Sequence, residues 1–154
     1  MSMNDRPTPP ARDEFALLHP LRVRWGEVDM QGIVFNAHYF AYFDVGTSEY
    51  MRAIGYGYPE GLRQHGTDIF AVNASANFSA SALYDDVLDL AVRVAHIGRT
   101  SLRYRLGVYR GETLLVDGGL TYVNGQIATK RPTPWPEDFK ERILAFEKTA
   151  PTQA

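Results

Sequence analysis

The chain has 154 residues, 45% of them hydrophobic, which is the size and apolar content of one domain. Its 16 basic and 18 acidic residues leave a formal charge of -2, so no extended positive field is available for a nucleic-acid backbone. Cysteine is absent, which excludes disulfides, thiolate nucleophiles and cysteine-ligated metal centres and makes an intracellular, cytoplasmic setting the simplest expectation.

In chain order, the first residues are rich in proline and mixed charge, so 1–16 read as a flexible leader. No stretch of about 18 apolar residues occurs, and no membrane span is expected. A single domain is expected over 17–148, with a tail at 149–154. Leu21, Val23 and Trp25 alternate with arginines, which predicts a first strand over Leu21–Trp25 with those three on its buried face. After a loop at Gly26–Gly32 the spacing of Tyr39, Phe40, Phe43, Tyr50, Met51 and Ile54 predicts one long helix, with Asn36 as N-cap and Gly55 as stop. Gly46 inside that helix costs about 1 kcal/mol of propensity, and so implies a surface packed close to the backbone.

Periodicity two then returns. Ile69–Phe78, Val87–Ile97, the alternating set from Leu102 to Val108, and Thr113–Val123 read as four strands joined by short turns. Glu137–Lys148 reads as a short helix after a proline break. An antiparallel sheet with one apolar helix to cover it is an α+β solution.

Several chemistries lack their motifs. Gly46-Thr47-Ser48-Glu49-Tyr50 is no nucleophile elbow, Gly55-Tyr56-Gly57 lacks its third glycine, and His19, His38, His65 and His96 show no metal-ligand spacing. The segment Trp25 to Tyr39 remains. It sets Asp29 in a glycine-containing loop just before a helix N-terminus, where exposed amides carry partial positive charge and bind oxyanions. A thioester suits such a site, because its thiol leaving group, with a free pKa of about 8.5, needs no general acid. On the residues alone, Asp29 reads equally well as a turn-forming or dipole-favouring acid.

The motif Asp29-x-x-Gly32-Ile33-Val34 with Tyr39 on the helix, and a second block from Val72 to Phe78 leading to Ala82–Leu88, resemble the hotdog-fold thioesterases of the 4-hydroxybenzoyl-CoA thioesterase type. The resemblance spans Pro20 to Val123. It implies a hotdog fold, a curved antiparallel sheet wrapped round the helix, and hydrolysis of an acyl-CoA. Asp29 then serves as nucleophile or general base, and the backbone amide of Asn36 polarises the carbonyl. Gly32, Phe35, Tyr39 and Asp44 are expected around the substrate, and Arg99, Thr100 and Ser101 at the CoA phosphates, although a solvated hairpin turn explains the last three equally well from their residue types.

Glu27 fits the pattern less well than Asp29 and is expected to be solvated. No metal and no separate cofactor is implied, since CoA belongs to the substrate. Small hotdog domains leave a sheet edge open, so a homodimer with two interfacial sites, doubled to a homotetramer, is expected. Two rivals stand beside this reading. One is an acyl-thioester hydratase or dehydratase using His38 with Asp44 or Glu49; the other is a non-catalytic acyl-CoA binding protein, for which Asp29 would have no use.

Overall fold

The computed structural model describes residues 8–154. Leu17–Arg22 forms β1, and after a 3-10 turn at Trp25–Glu27 the long helix α1 runs over His38–Ala53. A short helix α2, Glu60–Arg63, precedes β2 (Thr67–Phe78), β3 (Val87–Ile97), β4 (Ser101–Arg110) and β5 (Thr113–Gln126). Helix α3, Glu137–Phe146, and the two-residue β6, Thr152–Gln153, close the chain. The sheet order is β1-β3-β4-β5-β2 with antiparallel neighbours, and β6 joins β3 in parallel. This is the α+β hotdog arrangement, with β2 as one open edge.

Helix α1 turns Tyr39, Tyr42, Phe43, Tyr50 and Met51 to the sheet, where they meet the inward side chains Leu90, Val92, Val94, Tyr104 and Leu106. That apolar burial stabilises the layer pair at about 25 cal/mol per Å². Gly46 is where helix and sheet touch: a Cβ there would lie 2.8 Å from Val92 Cγ2. The close approach implied by a mid-helix glycine is therefore present.

Two local expectations need correction. The first strand is Leu17–Arg22, not Leu21–Trp25. Leu21 and Val23 do point inward, but the chain leaves the sheet into the Trp25–Glu27 turn, so Trp25 is 76% exposed. Asn36 is also not the N-cap. Ala37 takes that position with helical dihedrals and no side-chain bond. The amides of His38, Tyr39 and Phe40 bond back to the carbonyls of Phe35, Asn36 and Ala37, so a tightened first turn satisfies the backbone without a side chain.

Residues 8–16 of the leader are fastened to the sheet's outer face. Arg105 donates to the Thr8 carbonyl at 2.7 Å, Tyr109 donates to the Pro10 carbonyl at 3.0 Å, and Phe15 is buried against Ala91 and Tyr109. At the other terminus, the Glu147 carboxylate occupies the gap in the β3 edge between its pairing with β1 and with β6. There it accepts the Val94 amide at 2.7 Å and the Tyr50 hydroxyl at 2.6 Å. Burial pushes this carboxyl above the usual carboxylate range, against the pull of those two hydrogen bonds and of Arg93.

Candidate active site

The loop after β1 is a miniature hairpin. Val28 bridges Val34, the Asp29 amide donates to the Ile33 carbonyl at 3.0 Å, and the Gly32 amide donates to the Asp29 carbonyl at 3.0 Å. Gly32 has φ +76°, the left-handed region that glycine enters without strain, and this explains its place in the motif. Asp29 Oδ1 accepts the Gln31 amide at 2.8 Å. The side chain is therefore aimed by its own turn, and its second oxygen has no hydrogen bond among the described residues.

The amides of Asn36 and Ala37, just ahead of α1, likewise have no hydrogen-bond partner among the described residues. Asn36 and Asp29 line one cavity of about 130 Å³, walled by Tyr39, Phe78 and Ser81. Asp29 also borders a wider outer cavity of about 650 Å³ with Trp25, Met30, Gly32 and Tyr84, where Trp25 and Tyr84 meet edge to face at 5.2 Å. A carboxylate with a free oxygen and a residue with an unpaired amide just ahead of a helix thus line one small chamber, and the same carboxylate borders a larger one. Such amides stabilise negative charge on an oxygen, and the carboxylate supplies a base or nucleophile.

Tyr39 stands at this chamber, but its ring is buried and its hydroxyl accepts the Ala82 amide at 3.1 Å. Phe35 is half exposed, its ring against His38. Its amide donates to the Glu27 carbonyl at 2.9 Å, so Phe35 helps to shape the loop. Among the described residues His38 is hydrogen-bonded to neither carboxylate of the hydratase reading. Asp44 accepts the Tyr122 hydroxyl at 3.2 Å, and Glu49 pairs with Arg52.

Asp44 lines a different cavity, of about 410 Å³, with Met51, Tyr58, Ile69, Ala71 and Tyr122. Burial and the neighbouring Asp44 push the Tyr122 phenol up to about 12. Ile69 and Ala71 lie near the start of β2 and Phe78 at its end, so within one chain the Asp44 and Asp29 cavities are separated by roughly 25 Å of strand. The Arg99–Ser101 turn is at the Asp44 end. Its carbonyls are braced by the Asn124 amide and by the Trp135 amide and indole, while the Arg99 side chain is exposed and unpaired among the described residues.

Glu27 was expected to be solvated and is instead 8% exposed. It accepts the Arg24 amide at 2.9 Å, Arg24 Nε at 2.8 Å, a second guanidinium nitrogen, and the Tyr42 hydroxyl at 2.7 Å. Burial pushes its carboxyl up, but those donors outweigh burial and hold it below the usual range. The signal available in the sequence was the Arg24-x-x-Glu27 spacing, which places Glu at the third position of a short helical turn.

A family model described as "Thioesterase superfamily" matches residues 31–117, more than half of the chain, starting two residues after Asp29. A relative from Aquifex aeolicus (strain VF5) with a provisional esterase name is 26% identical over 111 residues, covering 70% of this chain and 86% of its own. "Acyl-CoA thioesterase YbgC" of Haemophilus influenzae is 19% identical over 121 residues, 79% of this chain and 89% of that protein. Among solved structures, the PA5185 protein of Pseudomonas aeruginosa superposes with a TM-score of 0.81 at 23% identity, over 93% of this chain and 99% of that one. The SAV2348 protein of Staphylococcus aureus, solved in complex with CoA, gives 0.79 at 17% identity, over 88% and 86%. At these identities the solved structures establish the shared fold.

Proposed function

The chain belongs to the Thioesterase superfamily and is a thioester hydrolase, and from that premise we propose that it cleaves acyl-CoA thioesters at the chamber between Asp29 and the start of α1. The observation that carries this reading is the shared cavity: Asp29, with one carboxylate oxygen free, and Asn36, with its amide unpaired among the described residues, both line it, and the unpaired Ala37 amide follows at the helix start. A thioester carbonyl seated on those amides gains stabilisation as negative charge develops on its oxygen. Asp29 attacks the carbonyl carbon directly, or takes a proton from a water that does. The C–S bond then breaks, and CoA leaves as a thiolate that needs little acid assistance; on the direct route the acyl group stays on Asp29 as a mixed anhydride, which water hydrolyses to release the acid and restore the carboxylate. No separate cofactor is required.

A CoA substrate is supported by the name of the Haemophilus influenzae relative and by the CoA held in the Staphylococcus aureus structure. For the acyl end, the Asp44 cavity is apolar along Met51 and Ile69 and carries Asp44 with the Tyr58 and Tyr122 phenols. That lining favours an acyl group bearing a hydrogen-bond donor, as 4-hydroxybenzoyl does, over a plain alkyl chain.

A second copy completes the arrangement. β2 is an open edge with residues 71–75 exposed, and Val72 on it is 59% exposed. The same strand pairing with itself across a two-fold axis is necessarily antiparallel, so the start of one β2 lies beside the end of the other. The Asp44 cavity and Arg99 turn of one chain then adjoin the Asp29 chamber of its partner, in a homodimer that doubles to a homotetramer. Screening thiol release across a panel of aryl, hydroxyaryl and alkyl acyl-CoA thioesters tests the proposal. Turnover of at least one member, abolished in Asp29→Asn, is expected; release from none overturns it.

A further inference from the structure

The two halves of the proposed chamber sit on different pieces of chain. Asp29 is on a tight turn and the unpaired amides are at the start of a helix, so activity on the reading above depends on what fixes one against the other. Glu27 touches both. Its side chain receives the Tyr42 hydroxyl from the second turn of α1, at 2.7 Å. Its carbonyl receives the amide of Phe35, the residue before Asn36, at 2.9 Å. It lies two residues before Asp29, and the intervening Val28 bridges Val34.

Burying a carboxylate is costly unless every lone pair finds a donor, and an apolar side chain of similar volume would pack there more cheaply. Here the donors are supplied in full: the Arg24 amide and guanidinium on one side and Tyr42 on the other. With both oxygens engaged, and with Glu27 absent from the lining of either cavity that Asp29 borders, this carboxylate has no lone pair left for a substrate. Tyr42 is itself fixed, buried under α1 with its ring edge against Tyr39 at 5.7 Å.

We infer that Glu27 is a positioning residue: through its bond to Tyr42 and its carbonyl bond to Phe35, it sets the Asp29 carboxylate at its working distance from the Asn36 amide. The inference rests on the chamber being the reaction site. Loss of register of about 1 Å between reacting groups costs on the order of 100-fold in rate. Glu27 itself lines neither cavity that Asp29 borders, so the effect belongs in kcat more than in KM.

The test uses an acyl-CoA that the wild-type protein turns over, with Glu27→Gln, Tyr42→Phe, the double variant and Asp29→Asn measured side by side. Glu27→Gln and Tyr42→Phe are each expected to lower kcat by about tenfold or more, leave KM within about threefold, and combine to no more than the larger single loss, since both cut one connection. Tyr42→Phe removes a single hydroxyl and keeps the test decisive if Glu27→Gln does not fold. Normal kcat in the folded variants, or losses that multiply in the double variant, would overturn the positioning role while Asp29→Asn stays inactive. Retained turnover in Asp29→Asn would instead overturn the site itself, and the inference with it.

Discussion

Asp29 and Arg99 lie at opposite ends of β3. The Asp29 loop is tied to the residues just before that strand, through Val23 to Asp86 and Val34 to Ala82, whereas Arg99 follows its last residue, Ile97, by two positions. The strand between them runs roughly 35 Å. If Arg99 holds CoA phosphates, it therefore serves the Asp29 of another copy. An exposed phosphate-guanidinium pair acts equally in ground state and transition state, so Arg99→Ala should raise KM and leave kcat nearly unchanged. It should also flatten the rise of KM with ionic strength. A truncated thioester without the nucleotide is the control; equal impairment of both substrates would show that Arg99 makes no such contact.

The same geometry predicts complementation. Asp29→Asn and Asp44→Asn homodimers should each be impaired. After the chains are exchanged into a heterodimer, one of its two sites regains both wild-type residues and activity returns in part. Val72→Lys, which places a charge on the open β2 edge, should weaken self-association by sedimentation and lower activity in proportion. Exchange that is verified by mass but restores nothing would place both residues of a working site on one chain.

Asn36 offers a sharper test than its sequence position suggested. Its side chain has no hydrogen bond among the described residues, and Ala37 is the N-cap, so Asn36→Ala should cost only a few tenths of a kcal/mol in place of the roughly 1 kcal/mol expected of a true cap. Activity should persist, because the proposed contribution is the backbone amide. Denaturant midpoints and kcat/KM read these two quantities separately. Folded Asn36→Ala as inactive as Asp29→Asn would assign the function to the side chain.

Glu147 makes a pH-dependent contribution with a defined sign. Its folded pKa is raised, chiefly by burial, above the usual carboxylate range. The native state therefore holds its proton more tightly than the unfolded chain. The stabilisation is complete below the unfolded pKa and is lost as pH rises through the folded one. Glu147→Gln removes this titration while keeping an acceptor for Tyr50 and Val94. Its stability relative to wild type should improve as pH rises through that window, measured by urea unfolding at successive pH values. A difference that stays flat with pH would contradict the assignment.

The strands from Val87 onward were legible because apolar residues recur at period two through Val87–Ile97 and Leu102–Val108 and glycine-containing turns separate them, and Gly46 announced the helix-sheet contact by its own cost. Trp25 misled because the alternation of Leu21 and Val23 continues past the point where the chain leaves the sheet. Asn36 misled because a polar side chain before a helix looks the same whether or not the first turn is tightened. Asp29 was singled out by its loop and family motif, but the Asx turn that aims it depends on the backbone path through Met30 to the Gln31 amide, which residue types do not fix. That Asp44 and Arg99 sit at the far end of the sheet follows from strand pairing, which residue spacing does not encode. Glu27 was passed over because its partner Tyr42 is 15 residues away and faces it only once α1 has packed.

The most direct measurement is thiol release by Asp29→Asn. The substitution keeps size and the turn-forming acceptor while removing the anion, so folding and CoA-ester binding should stay close to wild type. The rate should fall by about two orders of magnitude or more, roughly 3 kcal/mol of barrier. A rate within about threefold of wild type would contradict the account, because the carboxylate on which it rests would then take no part in the reaction.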